Sequence, residues 1–377
     1  MDRRRWLAAC AGGGTLGWNS GARASDGVTD NEVVFGQSAV LTGPLGVPIQ
    51  RLLGGVQAAL DVVNSSGGVA GRRIRLISLD DQLAPPKAVA NYRQLLEVDK
   101  VFSLFACVGS GTTAAAATVL HDSDAVSLAG YAVADSARER MGRSGFFIRA
   151  TTRREAEVLV RQMMTIGFTR IAVAHLDNPG GVEALQLITA ALETSQLKPV
   201  VAAAIKGDGS NAADAATRLA AANPQSVIMY LGGRAPADLM TGMAAAGSHP
   251  SFYGMSIVSG EIAAQVLGEK ARGLAIAQLM PFPWFKGSTD LQVYQRLMER
   301  SKVDISYYSL EGWLSAQVLV EALRRCGRDL TRARFATTLR GLKTRIGGLD
   351  IDFTGGQTAA SRFVELVQVR ADGTFAR

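Results

Sequence analysis

The sequence predicts an α/β protein of two similar lobes, each a parallel sheet with helices on both faces. Three observations carry this. Apolar runs of strand length alternate with stretches of helix length over most of the 377 residues. The connections between them are short, as in parallel β-α-β units. The alternation also starts afresh after Phe146-Phe147-Ile148-Arg149-Ala150, which places a boundary near residue 150.

In the first half, an alternating run from Glu32 to Val40 predicts a strand, and Leu41-Thr42-Gly43-Pro44-Leu45-Gly46 a loop leading to a helix through Asn64. Ser65 to Gly71 is a turn, Arg73 to Leu79 a strand ending at Asp80-Asp81, and Pro85-Pro86 opens a helix to about Glu97. Val101 to Val108 has the composition of a strand buried on both faces. Gly109-Ser110-Gly111-Thr112-Thr113 breaks it before an alanine-rich helix from Ala114 to His121, and a further strand spans Ala125 to Ala129. In the second half, Thr152-Arg153-Arg154-Glu155 fits a capping box opening a helix to about Ile166. Strands are expected at Ile171–Leu176, Val200–Ile205, Ser226–Leu231 and Ser251–Met255, with helices at Gly181–Ser195, Asn211–Ala222 and Ala235–Ala246 between them. Pro281-Phe282-Pro283-Trp284 interrupts the pattern, so a return crossing is expected near Leu274 to Pro283. Helices at Asp290–Arg300, Tyr308–Arg325 and Thr331–Arg340 follow, then strand-like runs at Leu349–Phe353 and Phe363–Arg370.

The junction at residues 109–113 is the chemically informative one. Backbone N–H groups at a helix start have no partner within the helix, and Ser110, Thr112 and Thr113 add hydroxyls beside them, which makes a site for a carboxylate or other anion. Capping is the plainer use of the same side chains. Gly109 to Ala114 also satisfies G-x-G-x-x-A, but a dinucleotide site needs the first β-α unit and an acidic residue closing the next strand. Here two units precede the motif, and the next strand runs into Gly130-Tyr131 without a carboxylate. An NAD-dependent enzyme is therefore disfavoured.

The formal charge of +7 includes +3 from residues 1–24, where Arg3, Arg4, Arg5 and Arg23 face Asp2. The remainder is mildly basic with no Lys/Arg block, which argues against a nucleic-acid partner. Residues 1 to about 24 read as an export signal with Ala22-Arg23-Ala24 as its cleavage site. Arg3-Arg4-Arg5-Trp6-Leu7 is similar to a twin-arginine signal. Leu7-Ala8-Ala9-Cys10 is similar to a lipoprotein box, with too short an apolar stretch after Arg5. A soluble exported protein is expected, with lipoprotein anchoring the alternative. Cys107 and Cys326 remain after cleavage and read as two core thiols, without a disulfide framework.

No catalytic constellation stands out. Asp80-Asp81 has no His or third carboxylate nearby and reads as a pair of loop hydrogen-bonders, not a metal site. His121, His175 and His249 lie outside any catalytic motif, and G-x-S-x-G is absent. Tyr131 and Tyr230 end strands and fit either ligand stacking or rim packing. Phe282-Pro283-Trp284-Phe285 reads as apolar packing at the crossing. No enzyme activity, cofactor or metal is expected.

Leu41-Thr42-Gly43-Pro44, Val63-Asn64, Gly67 to Arg72, Asp80-Asp81, Val108 to Thr112 and Phe147-Ile148-Arg149 occur in an order and spacing that resembles the type I periplasmic binding proteins, the leucine/isoleucine/valine-binding relatives that feed ABC transporters. The resemblance covers about residues 30–370 and implies two Rossmann-like lobes joined by a three-crossover hinge that close on a small ligand. It implies one lobe of residues 30–148 plus 280–345 and another of 149–279 plus 346–377. Carried over by position, it implies ligand contacts at Ser110, Gly111 and Thr112, at Gly130 and Tyr131, and across the cleft at Asp177, Tyr230 and Ser256. Two departures stand out: the loop Asp177 to Gly181 lacks the aromatic residue common in amino-acid binders, and Ser256 stands where they carry Glu. The expected ligand is accordingly a carboxylate, amide or related small polar molecule, with leucine, isoleucine and valine bound weakly. Expected partners are that ligand and the permease subunits of an inner-membrane ABC transporter, with the protein itself a periplasmic monomer. A ligand sensor of the same fold is the alternative.

Overall fold

Two sheets with parallel centres form because their central strands, such as Val33–Ala39, Ile171–Leu176 and Ser226–Tyr230, are buried on both faces under helices on each side. The computed structural model describes residues 26–356 and 358–377. The segment expected to be an export signal, with Arg3 to Arg5 and Cys10, lies outside them. In the first sheet β1 (Glu32–Ala39), buried from Val33 onward, pairs in parallel with β2 (Arg73–Asp80) and β3 (Ser103–Phe105). β4 (Ser127–Leu128) and β5 (Gly145–Phe146) complete the order β2-β1-β3-β4-β5. The connections carry α1 (Gly46–Ser65), α2 (Pro85–Arg93), α3 (Ser110–His121) and α4 (Asp135–Met141).

The second sheet has a parallel centre of β6 (Ile171–Leu176), β7 (Ala202–Ile205), β8 (Ser226–Tyr230), β9 (Ser251–Gly254) and β10 (Ala275–Gln278). Its helices are α5 (Thr152–Ile166), α6 (Pro179–Glu193), α7 (Ala212–Ala221), α8 (Ala235–Ala245) and α9 (Gly260–Leu267). After β10 the chain returns to the first sheet as α10 (Thr289–Ser301), α11 (Tyr307–Cys326) and α12 (Arg332–Arg340), of which α10 and α11 pack on α1. A hairpin of β11 (Lys343–Ile346) and β12 (Leu349–Asp352) follows. The chain then joins the second sheet through antiparallel β13 (Glu365–Val369) and β14 (Phe375–Ala376), giving the order β14-β13-β10-β9-β8-β6-β7. Three passages therefore link the sheets: after β5, after β10 and before β13. Among the described residues no helix is long and apolar enough to cross a membrane.

Several local expectations are corrected. The run Val101–Val108 is only partly strand: beyond β3, Ala106 has φ 54° and Val108 forms an isolated bridge to Tyr131. α3 begins at Ser110, not Ala114, because Gly109, at φ 96°, turns the chain directly into the helix. A Cβ there would lie 2.6 Å from the Leu83 side chain as well. The cap of α5 is Thr151, whose hydroxyl accepts from Arg154 N, and Glu155 takes no part in it. The stretch expected as a return crossing holds β10, whose apolar run is too short to separate from a linker by pattern. Cys107 and Cys326 are both buried and unpaired, and burial pushes both thiols up.

α1 and α11 approach so closely that glycine is required at the contact. A Cβ on Gly55 would lie 2.0 Å from Ser309 O, and one on Gly312 would lie 2.0 Å from Leu52 O. Gly55→Ala and Gly312→Ala are each expected to cost about 1–3 kcal/mol by overpacking, measured by urea denaturation. Gly341→Ala, where the nearest atom would be 3.8 Å away, should change stability little. Equal effects at all three would show that the helix contact is not the cause.

Candidate functional site

In a doubly wound sheet the loops at the carboxyl ends of the strands diverge where the strand order reverses, leaving a crevice. β1 lies between β2 and β3 in the first sheet, and β6 lies between β7 and β8 in the second. A cavity of about 260 Å³ sits where these two crevices face each other. From the first sheet it is lined by Val40, Leu45, Pro48 and Ile49 after β1, Leu83 and Pro85 after β2, Val108 to Gly111 after β3, and Tyr131 and Ala132 after β4. From the second come Leu176 to Gly180 after β6, Tyr230, Gly232 and Gly233 after β8, and Ile257 after β9. Most of this wall is aliphatic or proline. Among the described residues Asp177 is the one acidic residue in it, and no basic residue lines it.

The starts of α3 and α6 meet here from opposite sides. A Cβ on Gly180 would lie 2.7 Å from Ser110 Oγ, which makes room for the approach. Asn178 caps α6 by accepting from Gly181 N at 2.9 Å. Leu45 reaches across to Gly232 and Gly233, and Glu183 on α6 accepts from the N–H of Ser136 at 2.9 Å and from its hydroxyl. The two lobes therefore touch on both sides of the cavity.

The expected contact residues divide. Ser110, Gly111, Tyr131, Asp177 and Tyr230 line the cavity together. Gly130 and Thr112 do not: Gly130 is packed against Phe147, and Thr112 donates its hydroxyl to Val108 O at 2.5 Å and Gly109 O at 3.0 Å. Ser110 Oγ donates to Ala132 O at 3.2 Å and accepts from Ala134 N at 2.9 Å, tying the loop after β4 to the helix start. Its proton is thereby spent on the protein, and the donors left facing the cavity at this end are the backbone N–H groups of the first turn of α3.

Ser256 lies behind the cavity, in a buried charged cluster that motif reading missed. Arg149 donates to Glu311 at 2.5 Å and to Ser256 Oγ at 2.5 Å, and its guanidinium lies 4.7 Å from the centre of the Tyr131 ring. Glu155 accepts from Ser256 N and, at 3.1 Å, from Ser256 Oγ. Arg138 donates to the carbonyls of Val133, Arg149, Ala150 and Thr358, stapling the first passage to the third. Burial works against the charge of Arg149, but the Glu311 carboxylate outweighs it and holds the guanidinium protonated. Burial pushes Glu155 up to about 7 against the pull of Arg149, and draws Arg138 down to about 10.

The remaining candidates are structural. Asp81 accepts from Ser38 Oγ and Leu83 N, and Asp80 from Leu41 N, Thr42 Oγ1 and Gln82 N. His175 is buried with Nδ1 2.9 Å from Leu176 O. Trp284 stacks on Phe375 at 5.2 Å and meets Phe282 and Tyr307 edge-on, beside the second and third passages.

Removing one member of a buried pair strands the other, so Arg149→Met is expected to cost about 3–5 kcal/mol in urea denaturation. Glu155 keeps its proton to higher pH when folded than when unfolded. Its contribution is thus fully present below pH about 4.5 and is lost as pH rises through about 7. Glu155→Gln should therefore gain on the parent protein by about 2–3 kcal/mol between pH 4 and 7.5. A constant gap between the two across that range would sink this assignment.

A sequence profile described as periplasmic binding protein matches residues 32–374. A substrate-binding periplasmic protein from Ralstonia solanacearum superposes with a TM-score of 0.85 at 27% identity, covering 91% of this chain and 99% of that one. An extracellular ligand-binding receptor from Verminephrobacter eiseniae superposes with a TM-score of 0.81 at 26% identity, covering 92% and 100%. An amino acid binding protein from Pseudomonas aeruginosa is 26% identical over 144 residues, a match that spans 38% of this chain and only 36% of that relative. With the matched region running from β1 through β13, and the cavity seated between the two lobes it builds, the chain belongs to the periplasmic binding protein family.

Proposed function

We propose that this protein captures a small carboxylate with a largely apolar body between its lobes and delivers it to the permease of an inner-membrane ABC transporter. The observation that carries the ligand class is the composition of the cavity: an aliphatic and proline wall that meets the unpaired N–H groups opening α3. An anion at that end gains backbone donors and the helix dipole, while the apolar wall takes the body. By volume, a site that holds benzene measures about 150 Å³, so this one suits on the order of ten non-hydrogen atoms.

The same geometry argues against leucine, isoleucine and valine. A buried ammonium needs an acidic or carbonyl partner. Ser256 is occupied by Arg149 and Glu155, and a guanidinium stands where an ammonium would approach it. Asp177 is the remaining acidic group at the cavity. We assign the contacts to Ser110, Gly111, Tyr131, Asp177 and Tyr230. The lobes we propose are residues 30–148 with the returning segment, and 149–279 with the tail. Pairing of β12 with β11, and the bonds from Ala360 N and Ser361 N to Phe147 O and Ile148 O, favour ending that returning segment near residue 361.

A thermal-shift panel tests the ligand class. At about a hundred times its dissociation constant a true ligand adds about 2.7 kcal/mol of stability. Monocarboxylates of about ten heavy atoms should reach this and leucine should not; stabilisation by leucine that survives Asp177→Asn would refute the proposal. Lobe closure is tested separately: small-angle scattering should give a smaller radius of gyration with ligand than without, because a ligand touching both lobes favours the closed form. An identical profile at saturation would count against closure.

A further inference from the structure

Tyr230, at the end of β8, is 6% exposed and lines the cavity. Its hydroxyl has no hydrogen-bond partner among the described residues, whereas the hydroxyl of Ser110 and the amide oxygen of Asn178 are engaged by the protein. Ser110 is bonded to the loop after β4, Asn178 caps α6, and Asp177 is exposed. The side chain is almost wholly buried but its hydroxyl keeps contact with water, and a ligand that fills the cavity and displaces that water must supply a bond in its place. Burial keeps this phenol protonated, so it is a donor throughout the physiological range. The charged groups whose fields reach it are Glu155, Arg149, Arg138 and Glu183, two carboxyl and two guanidinium groups. A balanced surrounding of this kind favours a neutral oxygen over a second anion.

We propose that Tyr230 determines specificity by donating to a second, uncharged oxygen on the ligand, so that the preferred ligand is a hydroxylated or oxo carboxylic acid and not the plain hydrocarbon acid. The inference rests on the carboxylate reading above and adds the group at the other end of the molecule. A site built to bond an oxygen rejects the analogue that lacks it, because its own buried group is then left unpaired. The carboxylate itself is served by the N–H groups of α3 in the opposite lobe, which leaves the phenol for a different atom.

The test is calorimetric titration with matched acids: 3-phenylpropanoate against its three ring-hydroxylated isomers, and hexanoate against 6-hydroxyhexanoate. The expected result is that at least one oxygen-bearing member binds on the order of tenfold tighter than its parent. In Tyr230→Phe, which keeps the ring and should melt within a few degrees of the unsubstituted protein, that preference falls to about unity because the oxygen-bearing member loses more affinity than its parent. Acids that bind without any preference, a preference that survives Tyr230→Phe, or a loss shared equally by both members of each pair would overturn the inference while leaving the carboxylate reading standing. Binding of no acid at all would overturn that reading and this inference together. Mass spectrometry of ligand released by denaturing the purified protein gives an independent check: an organic acid with no oxygen beyond its carboxylate would contradict the role given to Tyr230.

Discussion

Arg149 stands where the two lobes and the cavity share one side chain. It lies on the first passage between the sheets, pairs with Glu311 of α11 on one side and with Ser256 beyond β9 on the other, and covers the back of Tyr131. Its own carbonyl is held by Arg138, which also holds Ala150 and Thr358. Buried charges are tolerated only when paired and fully bonded, so this cluster has few alternative arrangements. The passages between the lobes are thereby fixed in position by a small set of strong, water-excluded contacts. Tyr131, one of the cavity's aromatic walls, takes its place from the same set.

The rim is held differently. Ser136 to Glu183 and Leu45 over Gly232 and Gly233 are contacts near solvent or of modest area. Exposed polar contacts contribute little each, and their partners are readily satisfied by water when the lobes part. Strongly bonded passages with a weak rim suit the reversible capture proposed above. A rim as tightly bonded as the hinge would close without ligand and fail to release it.

The topology explains why the cavity wall is apolar at its sides and polar at its ends. The side chains come from loops at strand ends, and Leu45, Pro48, Leu83, Pro85, Leu176 and Ile257 pack there as extensions of the two cores. The polar groups are contributed by chain geometry: the helix start at Ser110, which leaves N–H groups without a partner in the helix, and Tyr230 at the end of a strand. In the proposed binding mode, orientation of the ligand would rest on backbone and a few phenols more than on charged side chains.

By itself the sequence determined the two α/β lobes, the position of most strands and helices, and the importance of the junction at residues 108–112. Those follow from local periodicity, glycine and proline, which act over a few residues. It also brought Ser110, Gly111, Tyr131, Asp177 and Tyr230 forward as candidates, through motif positions at strand ends, and these positions line one cavity. The rest was decided by contacts between distant segments. Glu155 fits a capping box by spacing, yet packing turns it away from the helix start and onto Ser256, 101 residues on. Glu311 lies 162 residues from Arg149 and has no local pattern to mark it. Thr112 carries a hydroxyl at the expected place, but its proton goes to Val108 O. Whether a polar side chain meets a ligand, a backbone carbonyl or a buried charge depends on which element packs against it, and only the tertiary structure decides that.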